Sequence, residues 1–369
     1  MRPSKGRLLR RGRRWLRRLA FSLVPLALLL VAVEVALRVA GEPAPPPRAS
    51  SPAALSMAPH PTRIWGLSPG EIVLDGVVHT IGANTLREVK PSGAPLRALT
   101  LGDSSIFGHG LEDRGTLHVQ LSEVLGGLGV DVDVFCGGVS GYSTEQSLRL
   151  LDEVGWALEP DLLIIGNLWS DNSEEYFVDR EWLAALDSPA RRMDRILSWS
   201  MAWGALRRLQ VPEQAQRAGL PIGWVKEPYS TRVGRRRVPL SDYAANLDRM
   251  LLEAAERGVG AVFLAPCHRH RLAPKTHASL WDPYFEAMAV VAERRGVPVV
   301  QAVEVLRAGG FDGDAAFLDE LHPTAAANRA YAEELAAVLL GRGWPADRLV
   351  PADEPPPVTL EIEDPFARQ

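Results

Sequence analysis

A small acid and two serines follow an apolar segment in the stretch LTLGDSSIFGHGL, which runs from Leu99 to Leu111. The apolar start is typical of a buried strand. Gly102 allows a sharp turn after this strand, so that Ser104 projects its hydroxyl from the strand's carboxyl end. A serine hydroxyl is a weak nucleophile until a base takes its proton. Nucleophilic chemistry at Ser104 therefore requires a histidine, oriented by an acid, at the same edge of the fold.

A histidine and an acid with suitable spacing occur in FLDELHPTAAANRAYAEEL, immediately before the last predicted helix. Asp319 and His322 are three residues apart, so one short loop can direct both side chains to one point. Asp319 can then accept a hydrogen bond from Nδ1 of His322 and hold the imidazole in place. Each motif alone is weak, because such short patterns occur often by chance. One opens the first βα unit and the other precedes the last helix, and together they predict a catalytic set with Ser104.

The elements that position these residues alternate between strands and helices from Leu96 onward. Helical sequences separate five runs that predict strands: LRALTLG, VDVDVFCG, PDLLIIG, GAVFLAP and the beginning of VPVVQAVEVL. Such alternation predicts a parallel sheet with helices on both faces, and these sheets bind ligands beyond the carboxyl ends of their strands. Helix starts are predicted from a capping box of Ser143 with Gln146, from Ser241 as an N-cap, and from Pro323 at the first position of the last helix.

Three segments resemble sequence blocks of the SGNH/GDSL hydrolase superfamily: GDSSIFG, GGVSGYSTEQ and DELHP. The resemblance covers Leu96 to Gly341. It extends to a bacterial membrane-anchored subgroup, because WGLSPGE and ANTLRE precede the first strand. The resemblance implies a flavodoxin-like three-layer α/β/α fold, with a five-stranded parallel sheet in the order 2-1-3-4-5 and an N-terminal transmembrane helix.

The same resemblance assigns roles to residues of the site. It implies that Ser104 is the nucleophile, with His322 as the base and Asp319 as its orienting acid. The backbone N–H of Gly141, together with that of Ser104, is implied to bind the oxyanion that forms during acyl transfer.

The third block of the family departs from its usual pattern in IIGNLWSDNSEEY. Relatives supply an Asn side chain to the oxyanion hole at this point. Aligned on Asp171, the position holds Ser170 instead, with Asn167 and Asn172 on either side. A serine hydroxyl can donate one hydrogen bond, so we expect Ser170 to be the donor first, Asn167 second and Asn172 third. Loss of one oxyanion donor costs other hydrolases roughly 2.7–4 kcal/mol in the barrier, which affects rate more than reaction type.

No metal or organic cofactor is expected, because the serine mechanism needs none. His268 and His270 have no third ligand at a matching spacing. Cys136 and Cys267 end strands two and four in the implied order, and three strand spacings separate them by roughly 14 Å. A disulfide cannot span that distance, so two free thiols are predicted. The basic run Arg235–Arg237 is predicted to form a solvated turn.

The chain has 369 residues, enough for one large domain or two small ones. Its composition shifts divide it into five segments and one insertion, each with a predicted character. These are a basic cytoplasmic head (1–18), a transmembrane anchor (19–40), a Pro-rich linker (41–62), the hydrolase domain (63–345) with an insertion (167–240), and a Pro-rich acidic tail (346–369).

The charge distribution supports an anchor and argues against nucleic-acid binding. Nine of the 41 Lys and Arg residues lie within the first 18 positions, where no acid occurs, and the other 32 are set against 45 acidic residues. A basic flank before about 20 apolar residues predicts that the N-terminus stays cytoplasmic and the rest is exported, which places the protein in the inner membrane. A cleaved signal peptide remains the alternative.

The function expected from these features is a serine esterase that hydrolyses acyl esters, with acetyl among the candidate groups, at the cell envelope. The substrate would be an ester on an envelope polysaccharide or a lipid. A polysaccharide O-acyltransferase would use the same Ser104, His322 and Asp319 with a sugar hydroxyl in place of water. A catalytically silent envelope binding module is the third alternative, and the altered third block is its only support.

Overall fold

The computed structural model describes residues 24–25, 27–40, 57–74, 76–88, 92–175, 178–186, 193, 196–197, 199–203, 235–272 and 279–353. It divides the chain into two compact units. One comprises Met1–Ser50 and Asp187–Leu220, and the other comprises Ser51–Leu186 and Pro221–Gln369. The residues of the candidate site all belong to the second unit.

The strands of the second unit are β1 (Met57–His60), β2 (Ile64–Leu67), β3 (Gly70–Leu74), β4 (Val77–Ile81), β5 (Leu96–Gly102), β6 (Val132–Gly138), β7 (Leu162–Ile165), β8 (Glu174–Glu175), β9 (Arg235–Arg236), β10 (Gly260–Ala265) and β11 (Val299–Gln301). Its helices are α1 (Ser104–Phe107), α2 (Leu117–Gly127), α3 (Thr144–Leu150), α4 (Asp179–Leu186), α5 (Leu240–Glu256), α6 (Arg269–Leu272), α7 (Asp282–Arg295), α8 (Ala302–Ala308), α9 (Gly313–Ala316) and α10 (Ala325–Gly341).

The five predicted strands form one sheet with the order β6-β5-β7-β10-β11, and all four neighbouring pairs are parallel. This confirms an α/β fold around a five-stranded parallel sheet. Counted along the chain among these five strands alone, the observed order is 2-1-3-4-5. The remaining described strands form three antiparallel pairs outside that count: β1–β2, β3–β4 and β8–β9.

Two apolar cores lie on opposite faces of the sheet because successive side chains of a strand point to opposite sides. Leu163 and Ile165 of β7 pack in one core with α3, α5 and α7. Leu162 and Ile164 pack in the other core with α2, α8 and α10. The unbroken apolar run of β7 thus follows from burial on both faces, as parallel sheets require.

The predicted helix starts are confirmed in one case and wrong in two. Ser143 caps α3 and forms the predicted capping box with Gln146. Ser241 lies inside α5, which begins one residue earlier at Leu240. The last helix begins at Ala325 rather than Pro323, because the Thr324 side chain accepts a hydrogen bond from the N–H of Ala327 and caps the helix.

Several predicted segments fall wholly or partly outside the described residues. These are the basic head 1–18, the start of the anchor 19–40, most of the linker 41–62, most of the insertion 167–240, and the tail beyond residue 353. Residues 27–40 are helical. Among the residues described, no helix combines the length and the apolar character needed to cross a membrane.

Candidate active site

Ser104 lies at the start of α1, directly beyond the carboxyl end of β5, which lies between β6 and β7 in the sheet. Asp103 caps this short helix by accepting a hydrogen bond from the N–H of Ser105 at 2.9 Å. The other Asp103 oxygen accepts from the N–H of Trp169, which follows β7, at 3.3 Å. One buried carboxylate therefore joins the ends of two neighbouring strands and fixes the position of the serine between them.

Gly102 is predicted to allow a sharp turn after the strand, but the structure gives it a different role. It does not adopt a left-handed conformation. A Cβ at Gly102 would collide with the Ile106 side chain and approach the backbone of Gly166. The glycine therefore permits α1 to pack closely on the end of the strand.

His322 and Asp319 share the short loop between α9 and α10. The Oδ1 atom of Asp319 accepts the backbone N–H groups of Leu321 and His322, both at 2.8 Å. The carbonyl of His322 in turn accepts from the N–H of Leu318 at 2.8 Å. These bonds hold the loop so that the imidazole faces the end of β5 rather than solvent.

Ser104, His322 and Asp319 form one continuous hydrogen-bonded chain. The Oγ of Ser104 lies 2.8 Å from Nε2 of His322, and Nδ1 of His322 lies 2.6 Å from Oδ2 of Asp319. Burial raises the pKa of Asp319, but the hydrogen bonds from His322 and Leu321 outweigh it and hold the pKa well below its usual value. The ionised carboxylate can only accept, so Nδ1 carries the proton and Nε2 is left to receive that of Ser104.

The backbone N–H groups of Ser104 and Gly141 have no acceptor within the described part of the chain. The peptide that carries the Gly141 N–H is held by Trp65, whose Nε1 donates to the carbonyl of Ser140 at 3.2 Å. In a trans peptide the carbonyl and the N–H point in opposite directions. The tryptophan bond therefore turns the Gly141 N–H away from the ring of Trp65.

Replacing Gly141 with alanine is expected to lower kcat for an acyl ester by about 10- to 100-fold, with a smaller effect on KM. Gly141 has a φ of 77°, and an added Cβ would lie 3.2 Å from Cζ2 of Trp65, so the loop must shift. Steady-state kinetics of the variant check this. Gly126→Ala is the control, because its Cβ meets nothing within 4 Å. Equal kcat values for Gly141→Ala and Gly126→Ala would contradict the expectation.

The three residues of the altered third block lie in the loop that follows β7, and all three are buried. The amide nitrogen of Asn167 donates to Oγ of Ser147 at 2.9 Å, so this side chain is already bound away from Ser104. The side chains of Ser170 and Asn172 make no hydrogen bond to another described residue. Of the three candidates, Ser170 and Asn172 therefore keep their donors available.

Two buried acids beside the site hold protons more tightly than usual. Burial raises the pKa of Asp103 to about 6, although the N–H of Ser105 and the charge of His322 oppose the shift. Burial raises the pKa of Asp171 to about 8, against the hydrogen bonds from the hydroxyl and N–H of Thr144. Near pH 7, Asp103 is thus largely ionised, as its role as an acceptor requires, and Asp171 is largely neutral.

The free energy of unfolding is expected to fall by about 1 kcal/mol between about pH 7 and 8.5 because of Asp171. The unfolded state has already released this proton, whereas the native state releases it near pH 8, so rising pH favours unfolding. The buried histidines His79, His118 and His268, whose pKa values burial lowers, are neutral in the native state, and their residual protonation in the unfolded state near pH 7 is the same in wild type and Asp171→Asn.

Urea unfolding of wild type and Asp171→Asn at the two pH values measures this effect. The variant is expected to lose less stability than wild type over the interval. Equal losses in the two proteins would show that Asp171 does not titrate in this range.

Arg237 corrects the prediction of a solvated turn for the basic run. Arg235 and Arg236 form β9, but Arg237 is 1% exposed. A buried guanidinium requires partners, and its carboxylate partner Asp179 is itself buried. Sequence reasoning missed both Arg237 and Trp65. For Arg237 the reason is that its carboxylate partner is 58 residues away and that the charge run resembles a surface segment.

The other histidines and the cysteines have clear positions. The ring of His109 lies 4.7 Å from that of His322. His268 is buried against Trp169, and its ring lies 5.5 Å away, while Nε2 of His270 lies 2.9 Å from a carboxylate oxygen of Glu320. No cluster of three metal-ligating side chains occurs in the described ranges. Both cysteines are buried free thiols, which confirms that prediction.

No family model matches the sequence, and no curated protein matches it. Solved structures do show similarity. A lipase/acylhydrolase from Enterococcus faecalis has 15% identity and a TM-score of 0.43, over 67% of this chain and 96% of that one. An acetylxylan esterase from Geobacillus stearothermophilus has 16% identity and a TM-score of 0.43, over 69% and 97%. An esterase from a Pseudoalteromonas species has 13% identity and a TM-score of 0.40, over 67% and 97%. Because these identities and TM-scores are low, the assignment of the candidate site depends on the geometry of this chain's own residues.

Proposed function

We propose that this chain is a serine esterase of the SGNH/GDSL type that hydrolyses acyl esters. The observation that carries the proposal is the chain from Ser104 Oγ to His322 Nε2 to Asp319, with distances of 2.8 and 2.6 Å. The three side chains lie beyond the carboxyl edge of a parallel sheet, where α/β folds bind their ligands.

The geometry supports a two-step acyl transfer. Ser104 Oγ attacks the ester carbonyl as its proton passes to Nε2 of His322, and Asp319 stabilises the resulting imidazolium. The N–H groups of Ser104 and Gly141 bind the oxyanion, and the alcohol leaves with the proton from Nε2. Water then loses a proton to the same nitrogen and attacks the acyl-serine, and Nε2 returns that proton to Ser104 Oγ as the ester bond breaks and the acid leaves.

The proposal also includes a cellular location and a class of natural substrate. Nine cations before the apolar segment 19–40 support an anchor in the cytoplasmic membrane, with the catalytic domain outside the cytoplasm. Esters on an envelope polysaccharide or a lipid are then the substrates within reach. Protease treatment of spheroplasts tests the location: we expect digestion of the catalytic domain, and its protection would contradict the proposal.

Hydrolysis of p-nitrophenyl acetate, butyrate and octanoate by the full chain in detergent tests the activity. Turnover that stops after treatment with a fluorophosphonate supports an esterase, and the ester series sizes the acyl pocket. Adding an oligosaccharide acceptor to the same assay detects transfer to sugar in place of water. A folded protein that neither hydrolyses nor transfers any of the three acyl groups would contradict the proposal.

A further inference from the structure

Arg237 makes a set of contacts that only a forked guanidinium can satisfy. Its Nε and Nη2 atoms donate to the two carboxylate oxygens of Asp179 at 3.0 and 2.7 Å. The Nη2 atom also donates to Oε1 of Gln146 at 2.6 Å, and Nη1 donates to the carbonyl of Gly141 at 2.6 Å. An ammonium group lacks this planar arrangement of donors and cannot serve the three partners together.

The contact with Gly141 bears directly on the oxyanion hole. Trp65 holds the peptide on the N-terminal side of the Gly141 Cα, through the carbonyl of Ser140. Arg237 holds the peptide on the C-terminal side, through the carbonyl of Gly141 itself. The guanidinium carbon also lies 5.0 Å from the centre of the Trp65 ring. Because the peptides on both sides of Gly141 are hydrogen-bonded, Trp65 and Arg237 together fix the direction of the Gly141 N–H.

Both ends of the insertion that begins after β7 contribute to this arrangement. Asp179 starts α4 on the outgoing end, and Arg237 follows β9 on the returning end. The N–H of Asp179 donates to the carbonyl of Arg237 at 2.8 Å, and the N–H of Arg237 donates to the carbonyl of Ser173 at 2.9 Å. Asp179 also accepts from the hydroxyl of Ser143, two residues beyond Gly141, at 2.6 Å. The base of the insertion, formed by Asp179 and Arg237, is thereby hydrogen-bonded to the segment that contains Gly141 and Ser143.

We propose that Arg237, fixed by Asp179, is a positioning residue that holds the Gly141 N–H in the geometry required to bind the oxyanion. The inference rests on the proposed esterase function and adds to it a role for the base of the insertion. Arg237 touches no reacting atom and acts only through Gly141. Its effect should therefore appear in the transition state and leave the binding of the ester nearly unchanged.

Kinetics per active site separate this role from a general loss of folding. We would compare wild type with Arg237→Met, Arg237→Lys and the control Arg180→Met in the full chain. Arg180 neighbours Asp179, but its side chain is 56% exposed, and the partner it has among the described residues is Asp242. A fluorophosphonate, allowed to react to completion, first counts the competent sites in each protein. The kcat per counted site and the KM for p-nitrophenyl acetate are then measured.

We expect kcat per site to fall about 10- to 100-fold in Arg237→Met and by less in Arg237→Lys. KM should stay within about threefold, and Arg180→Met should match wild type. If only the number of competent sites falls, while kcat per site is retained, the role is structural and the inference is overturned. If Arg237→Met does not fold, Arg237→Lys decides on the same criterion. An inactive wild type would instead reject the esterase function, and this inference with it.

Discussion

Replacing Ser104 with alanine is expected to lower kcat/KM for p-nitrophenyl acetate by roughly 10⁴-fold or more. In the proposed mechanism this hydroxyl forms the acyl-enzyme, since His322 Nε2 lies 2.8 Å from it and can accept its proton. Neither the oxyanion donors nor Asp319 can replace a missing nucleophile. The measurement is release of p-nitrophenol by the purified full chain, corrected for hydrolysis in buffer.

The adjacent serine provides a matched control for this prediction. Ser105 is buried, its hydroxyl donates to the carbonyl of Leu321 at 3.4 Å, and it also lies beside the Asp103 carboxylate rather than His322. We expect Ser105→Ala to retain activity within a few-fold of wild type. If Ser105→Ala lost activity while Ser104→Ala retained it, the nucleophile would be Ser105 rather than Ser104. That result would overturn the mechanism.

Asp319→Asn is expected to lower kcat by about 10³- to 10⁴-fold with little change in KM. The asparagine can still accept the backbone N–H groups of Leu321 and His322 through its oxygen. Its amide nitrogen, however, then faces Nδ1 of His322 as a donor. The imidazole must place its proton on Nε2, and a protonated Nε2 cannot accept the proton of Ser104.

Asp314→Asn is the control for this substitution. Asp314 lies on the neighbouring helix α9, and its side chain is 91% exposed and paired with Arg269. Because exposed pairs contribute little, this variant should retain wild-type kinetics. The measurement is the steady-state kcat of both variants. An Asp319→Asn protein with more than about a tenth of wild-type kcat would show that the acid is not needed for catalysis.

The sheet and the meeting of Ser104, His322 and Asp319 could be predicted from the sequence because local signals specify them. The unbroken apolar run of β7 indicates burial on both faces, and the capping box of Ser143 marks the start of α3. Ser104, Asp319 and His322 could be combined because each follows a strand or precedes a helix at the same edge of the sheet. Their contacts then follow from the parallel arrangement of the strands.

The contacts that hold the peptides on either side of Gly141 could not be predicted, because they join residues distant along the chain. Arg237 and Asp179 are separated by 58 residues, and Trp65 and Ser140 by 75. Neither pair has a local pattern that marks it, and an arginine run ordinarily indicates solvent exposure. The hydrogen bond from the Asn167 amide to Ser147 likewise depends on how α3 packs beside the end of β7.

The covalent labelling of Ser104 tests the central claim most directly. The full chain would be treated with a fluorophosphonate, and the modified peptide would be identified by mass spectrometry. The account predicts one adduct per chain, located on Ser104, and a much slower reaction in Asp319→Asn. Absence of any adduct on folded protein, or an adduct on another residue with Ser104 unmodified, would contradict it.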